Sequence, residues 1–236
     1  MKIEVCVASL EAAKRAEQLK ADRLELCVEL GVGGVTPSIG LVEQLVQEIQ
    51  IPIHVLVRPR SGNFVYSSEE FSVILNDMER LKALNVSGMV VGATTSSGAL
   101  ATYQLKEMLD LAGSVPLTFH RAFDVVDNPL HALEQLIDLG FSTVLTGGQK
   151  EQAVDGFSLL KQMKSIAANR IVILPGGGIN ASNCMMFREA QFNWLHLSAK
   201  KEICIDTPKD KNLSFLEQPQ YELDDERLLN VLKQCK

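Results

Sequence analysis

Glu4 and Cys6 stand two residues apart in Ile3-Glu4-Val5-Cys6, and Glu25 and Cys27 repeat the spacing in Leu24-Glu25-Leu26-Cys27. A carboxylate can hold or move a proton, and a thiolate can bind a soft metal ion. Each tetrapeptide reads as a short buried strand carrying a charge that buried strands rarely hold. Alternate side chains of a strand share a face, so each glutamate faces the same way as its cysteine. A helix-like segment, Leu10 to Lys20, separates the two. The resulting strand-helix-strand unit predicts adjacent parallel strands. Two carboxylates at mid-strand and two thiols at the C-terminal strand ends then look onto one face. Barrel shear would bring the thiols together on a diagonal rather than level, close enough to share one ion.

The elements that must hold this face recur along the chain. Further strands are expected at Ile51–Val57, Gly88–Val91, Val115–Phe119, Ser142–Leu145, Arg170–Leu174 and Trp194–Leu197. Helical patterns separate them. Ser67-Ser68-Glu69-Glu70 is a capping box opening one helix. Asn128-Pro129 is an N-cap with proline at the first helical position, and Gly140 ends that helix. Asn180 to Ala190 is expected to be helical. Eight strands, each followed by a helix, in 236 residues predict a single-domain α/β protein, a (β/α)8 barrel. A doubly wound open sheet is the alternative. The stretch from 199 to 223 is expected to be a long irregular loop before a last helix, Asp224 to Gln234.

Composition narrows the partners. The formal net charge is −6 and no Lys/Arg run stands out, which argues against nucleic acid and anionic membranes. No apolar run approaches a membrane span, and Met1-Lys2 leads straight into an apolar strand without a signal-peptide pattern. Five cysteines, an odd number, favour a reducing cytoplasm with free thiols. Homo-oligomerisation is left open. Cys184, Cys204 and Cys235 have no partner at ligand spacing and read as ordinary.

Barrel function gathers where strands run out into the following loops. Those ends carry Cys6, Cys27, Arg58, Arg60, His120, Arg121, Asp124, Thr146, Gly176 to Gly178, His196 and Ser198. Arg58 is expected to contact Glu25 or Glu4, because all three alternate inward. Glu25, Arg58, His120 and Asp124 are the candidates for catalysis, with His120 equally readable as a hydrogen-bonded core histidine. Arg60, Arg121, Gly177, Gly178, His196 and Ser198 are the candidates for holding an anion. The Gly176-Gly177-Gly178 turn with Ser198 suits a phosphate at a helix start. No lysine falls inside an expected strand, which disfavours Schiff-base chemistry; Lys150 and Lys200 lie beyond theirs. Cys6 and Cys27 are the metal candidates, and two thiolates suit Cu(I).

These residues carry a resemblance. Glu-Val-Cys-Val at 4–7, Ala-Asp-Arg-Leu-Glu-Leu-Cys at 21–27, Gly-Gly-Val-Thr-Pro-Ser at 33–38 and Arg-Pro-Arg-Ser-Gly-Asn-Phe-Val-Tyr-Ser at 58–67 look like the CutC family of copper-homeostasis proteins. So do Phe-His-Arg-Ala-Phe-Asp at 119–124, Pro-Gly-Gly-Gly-Ile at 175–179 and His-Leu-Ser-Ala at 196–199. The resemblance runs from Met1 to Ala199. It implies a TIM-type barrel, a cytoplasmic location and a copper ion held by the cysteine pair, Cys6 and Cys27. Two departures stand out: Thr146-Gly147-Gly148 replaces the more usual Thr-Ser-Gly, and Lys200 to Tyr221 matches poorly. Two functions follow as expectations. One is a Cu(I)-binding homeostasis protein. The other is a barrel enzyme of proton-transfer or lyase type acting on a small anionic or phosphorylated substrate.

Overall fold

The structure, a computed structural model, describes residues 1–203 and 220–236. Eight strands form one parallel sheet: β1 (Lys2–Val7), β2 (Arg23–Leu26), β3 (Ile53–Leu56), β4 (Gly88–Val91), β5 (Leu117–Phe119), β6 (Thr143–Thr146), β7 (Val172–Pro175) and β8 (Trp194–Leu197). Neighbours follow chain order, and β1 pairs with both β2 and β8. Between β7 and β8 the ring closes through a single parallel bridge, Gly176 to His196. The sheet is thus a nearly closed (β/α)8 barrel, as the strand and helix spacing predicts.

Helices α1 (Leu10–Gln18), α2 (Ile39–Glu48), α3 (Ser68–Ala83), α4 (Thr102–Ala112), α5 (Pro129–Leu139), α6 (Phe157–Ala167) and α7 (Cys184–Glu189) occupy the crossovers, and α8 (Asp225–Cys235) follows β8. Their buried faces and the outward sides of the strands make the main apolar core, with Ile3, Val5, Leu24, Leu26, Phe119 and Phe187 among its members. Local chemistry sets the ends. The Ser67 hydroxyl accepts from the Glu70 amide while the Glu70 carboxylate accepts from the Ser67 amide. Asn128 caps α5, and Gly140 terminates it in the left-handed region at φ +100°.

Two expectations change. The helix after β7 starts at Cys184, not Asn180. Asn180 Oδ1 accepts from the Ser182 amide and hydroxyl, and Asn183 Oδ1 accepts from the Asn180 amide, so side chains hold these residues in a turn. The stretch 199–223 is not wholly irregular. Strands β9 (Lys200–Ile203) and β10 (Gln220–Leu223) pair antiparallel outside the barrel. Residues 204–219, Cys204 among them, lie outside the described part. No helix among the described residues is long and apolar enough to cross a membrane.

Candidate functional site

The barrel interior is polar on its N-terminal strands. Register places Glu4 of β1 beside Arg23 of β2 and beside His196 of β8. Arg23 Nε donates to Glu4 Oε2 at 2.5 Å, and His196 Nδ1 meets Glu4 Oε1 at 2.8 Å. On its other side His196 Nε2 lies 3.6 Å from Glu25 Oε2. Basic and acidic groups alternate along this row: Arg23, Glu4, His196, Glu25. Burial opposes ionisation of Glu4, but the His196 hydrogen bond and the Arg23 and His196 charges overcome it and lower its carboxyl to about 2. Burial likewise pushes His196 down, and the charge of Glu25 with the bond to Glu4 more than reverses this. The Glu25 carboxyl is raised by burial, with the Glu4 charge adding to the effect.

Arg58 does not join this layer, contrary to expectation. It stands four residues beyond His54, roughly 13 Å further along the strand direction. Its guanidinium turns into the neighbouring loops, where Nη1 donates to the Val32 and Gly34 carbonyls at 3.0 and 2.8 Å and Nη2 to the Gly62 carbonyl at 2.8 Å. The arginine that pairs with Glu4 is Arg23, at the start of β2. Parity alone could have offered it, since Arg23 shares its face with Glu25 and Cys27.

Above the ionic layer lie the thiols. Register sets Cys6 level with Glu25, so Cys27 is one step higher. The two sulfurs meet on that diagonal, Sγ to Sγ 3.2 Å, and both residues are buried. The hydrogen bond with Cys27 and then burial hold the Cys6 thiol well above its usual range. One sulfur, nitrogen and oxygen atom from Cys6, His196 and Glu25 lie within 4.8 Å of one another. The set offers one thiol, an imidazole and a carboxylate, with the Cys27 sulfur next to that of Cys6, a donor mix that suits Cu(I) through sulfur and nitrogen.

A cavity of about 260 Å³ opens over these thiols at the C-terminal end of the barrel. Its lining includes Cys6, Glu25 and Cys27 together with Arg58, Phe64 and His120. His120 Nδ1 accepts from the Ala122 amide at 3.1 Å, so its ring proton sits on Nε2. Burial, with the nearby Arg58 charge, lowers His120 to about 3, and burial with Arg23 lowers His54 to about 4. Both imidazoles are therefore neutral. Glycines on β4 and just after it make room for them: a Cβ at Gly88 would lie 2.5 Å from His54 Nε2, and one at Gly92 2.5 Å from His120 Cε1.

Gly177, Gly178, Ser198, His196 and Arg121 also line the cavity. Asp124 does not. It accepts from Arg121 Nε at 2.7 Å, the Thr146 hydroxyl, and the Gly147 and Gln149 amides, fixing the loop after β6. Arg60 is likewise turned away, paired with Glu70 on α3. Lys200, expected beyond its strand, lies in β9 and lines the cavity, its Nζ 3.1 Å from the Leu30 carbonyl and 4.0 Å over the Tyr221 ring. Cys184 and Cys235, expected without partners, are neighbours: burial and then a hydrogen bond with Cys184 push the Cys235 thiol up to about 12. They sit in α7 and α8, away from the cavity. Arg23, Phe64 and Lys200 are the site residues that the strand-end pattern does not single out.

Comparison with known proteins places this arrangement. The CutC family model matches residues 1–201. A CutC family protein of Pasteurella multocida is 44% identical over 201 residues, covering 85% of this chain and 82% of its own. One from Yersinia pestis is 39% identical over 203 residues, covering 86% and 80%. The crystal structure of CutC from Streptococcus agalactiae superimposes with a TM-score of 0.78 at 33% identity, over 83% of this chain and 97% of that one. Phosphoribosyl anthranilate isomerase from Thermus thermophilus shares the barrel alone, with a TM-score of 0.61 at 14% identity over 99% and 98%. The chain belongs to the CutC family.

Proposed function

We propose that this protein binds one Cu(I) ion at Cys6 and Cys27 and serves copper homeostasis in the cytoplasm. The supporting observation is the 3.2 Å approach of two buried thiols beneath a cavity, beside the His196 imidazole. The Streptococcus agalactiae relative is itself provisionally described as a copper homeostasis protein. His196 is the third donor within reach, and Glu25 stands next to it. Copper would supply a soft Lewis acid to this set, drawing the thiols into their ionised form against burial. Because the bond with Cys27 and burial hold the Cys6 thiol protonated, loading releases a proton and weakens as pH falls. Copper-edge X-ray absorption of the loaded protein checks the reading: two sulfur neighbours are expected, and a shell without sulfur would contradict it.

The same cavity supports a second reading, a barrel enzyme of proton-transfer or lyase type acting on a small anionic substrate. What favours it is volume: about 260 Å³ is far more than one ion fills. Glu25, held at the cavity floor, is the acid–base group of that reading, and His120 serves it as a neutral donor.

A further inference from the structure

Arg58 lines the same cavity as the thiols, and among the described residues its positive charge has no negative partner. Arg58 is 5% exposed, and among the described residues its guanidinium bonds only to the Val32, Gly34 and Gly62 carbonyls. Among the described residues no carboxylate forms an ion pair with it, and the buried Nε has no hydrogen-bond partner. His120, also 5% exposed, lies beside it: the Phe64 ring is 4.8 Å from the His120 ring and 5.1 Å from the Arg58 guanidinium carbon. The His120 Nδ1 is occupied by the Ala122 amide, and Nε2, which carries the proton, is without a partner among the described residues. The Nδ1–Cε1 edge packs on Gly92 and Ala122, and His120 is among the side chains lining the cavity. Buried donors are ordinarily satisfied, and buried charges are ordinarily paired. Two unmet donors, one of them charged, on one wall of one cavity describe an oxyanion's missing half.

We propose that Arg58 and His120 bind the oxyanion end of a small organic molecule, a carboxylate or a phosphate group. This deepens the second reading of the cavity and stands apart from the copper reading. Arg58 supplies the charge, and His120 Nε2–H supplies a directed hydrogen bond that needs no change of protonation. Lys200 adds a second positive charge on the cavity lining. Glu25 also lines the cavity and, when ionised, repels the anionic end. The volume, just under the usual range for ligand pockets, suits a metabolite rather than a larger ligand.

The test titrates the metal-free full chain with inorganic phosphate and, separately, with succinate. Calorimetry and the His120 Nε2–H proton resonance are the readouts. The proposal expects 1:1 binding of at least one probe and a shift of that resonance on its addition. Arg58→Gln should weaken binding at least tenfold and His120→Gln several-fold. Succinate binding without phosphate binding assigns a carboxylate, and the reverse assigns a phosphate group. The Cys6→Ser/Cys27→Ser double variant should keep the anion affinity, so loss of copper binding and loss of anion binding are read independently. If Arg58→Gln does not fold, His120→Gln and the resonance decide. A resonance that neither probe moves, or His120→Gln binding like the parent, overturns the proposal.

Discussion

On the wall built by β8, β1 and β2, Arg23, Glu4, His196 and Glu25 alternate so that each acidic group meets a basic one. On the wall built by β3 to β5, Arg58 meets carbonyls while His54 and His120 stay neutral against glycines. Burial is nearly the same on both sides. What differs is the partner, and the partner decides what a buried polar residue can do. Self-compensated charges hold a fixed frame around the thiols. Uncompensated donors leave the other wall ready for something from outside.

The largest expected effect breaks the paired wall. Arg23→Leu should destabilise the fold by roughly 3–5 kcal/mol, because Glu4 loses a buried counter-charge. Urea unfolding at neutral pH measures it; a loss below about 1 kcal/mol, as for a surface pair, would mean that the alternating chain is not coupled. Next comes pH on the unpaired wall. A histidine near 6.5 when unfolded but near 3 when folded stabilises the protein above pH 6.5, and that stability is lost on acidification. His196, raised instead, has its contribution complete below pH 6.5 and adds no loss there. His120→Gln should therefore remove about 2–3 kcal/mol of the stability lost between pH 6.5 and 4.5. Unchanged pH dependence in that variant would place the neutral imidazole elsewhere. The smallest effect is Arg58→Leu. It strands three carbonyls but leaves no carboxylate unpaired, so roughly 1–2 kcal/mol is expected. A cost matching that of Arg23→Leu would return Arg58 to the ionic layer.

Much of this architecture was legible in the residues. The repeated apolar-Glu-apolar-Cys pattern located β1 and β2, and shear alone placed the sulfurs on a diagonal. Caps at Ser67, Asn128 and Gly140 fixed helix ends because their chemistry is local. Partner choice was less legible, since it depends on register. Arg23 and Arg58 share a face with the glutamates, and only strand offset decides which one reaches Glu4. Lys200 was placed beyond its strand and not counted as a site residue, because it enters the site from β9, outside the strand-end rule. The pairing of Cys184 with Cys235 joins positions 51 residues apart through helix packing, which no local pattern encodes. The β4 glycines were the one overlooked signal: glycine within a strand marks a close approach, here by His54.

Those two thiol pairs also supply the control for copper. Anaerobic titration with Cu(I) against a competing chelator, on the parent and on each cysteine variant, is the most direct measurement. One ion per chain is expected for the parent, with binding lost in Cys6→Ser and in Cys27→Ser alike. Cys184→Ser and Cys235→Ser, whose thiols lie under α8 away from the cavity, should bind as the parent does. A Cys6→Ser/Cys27→Ser double variant that holds copper with parental affinity would contradict the copper site.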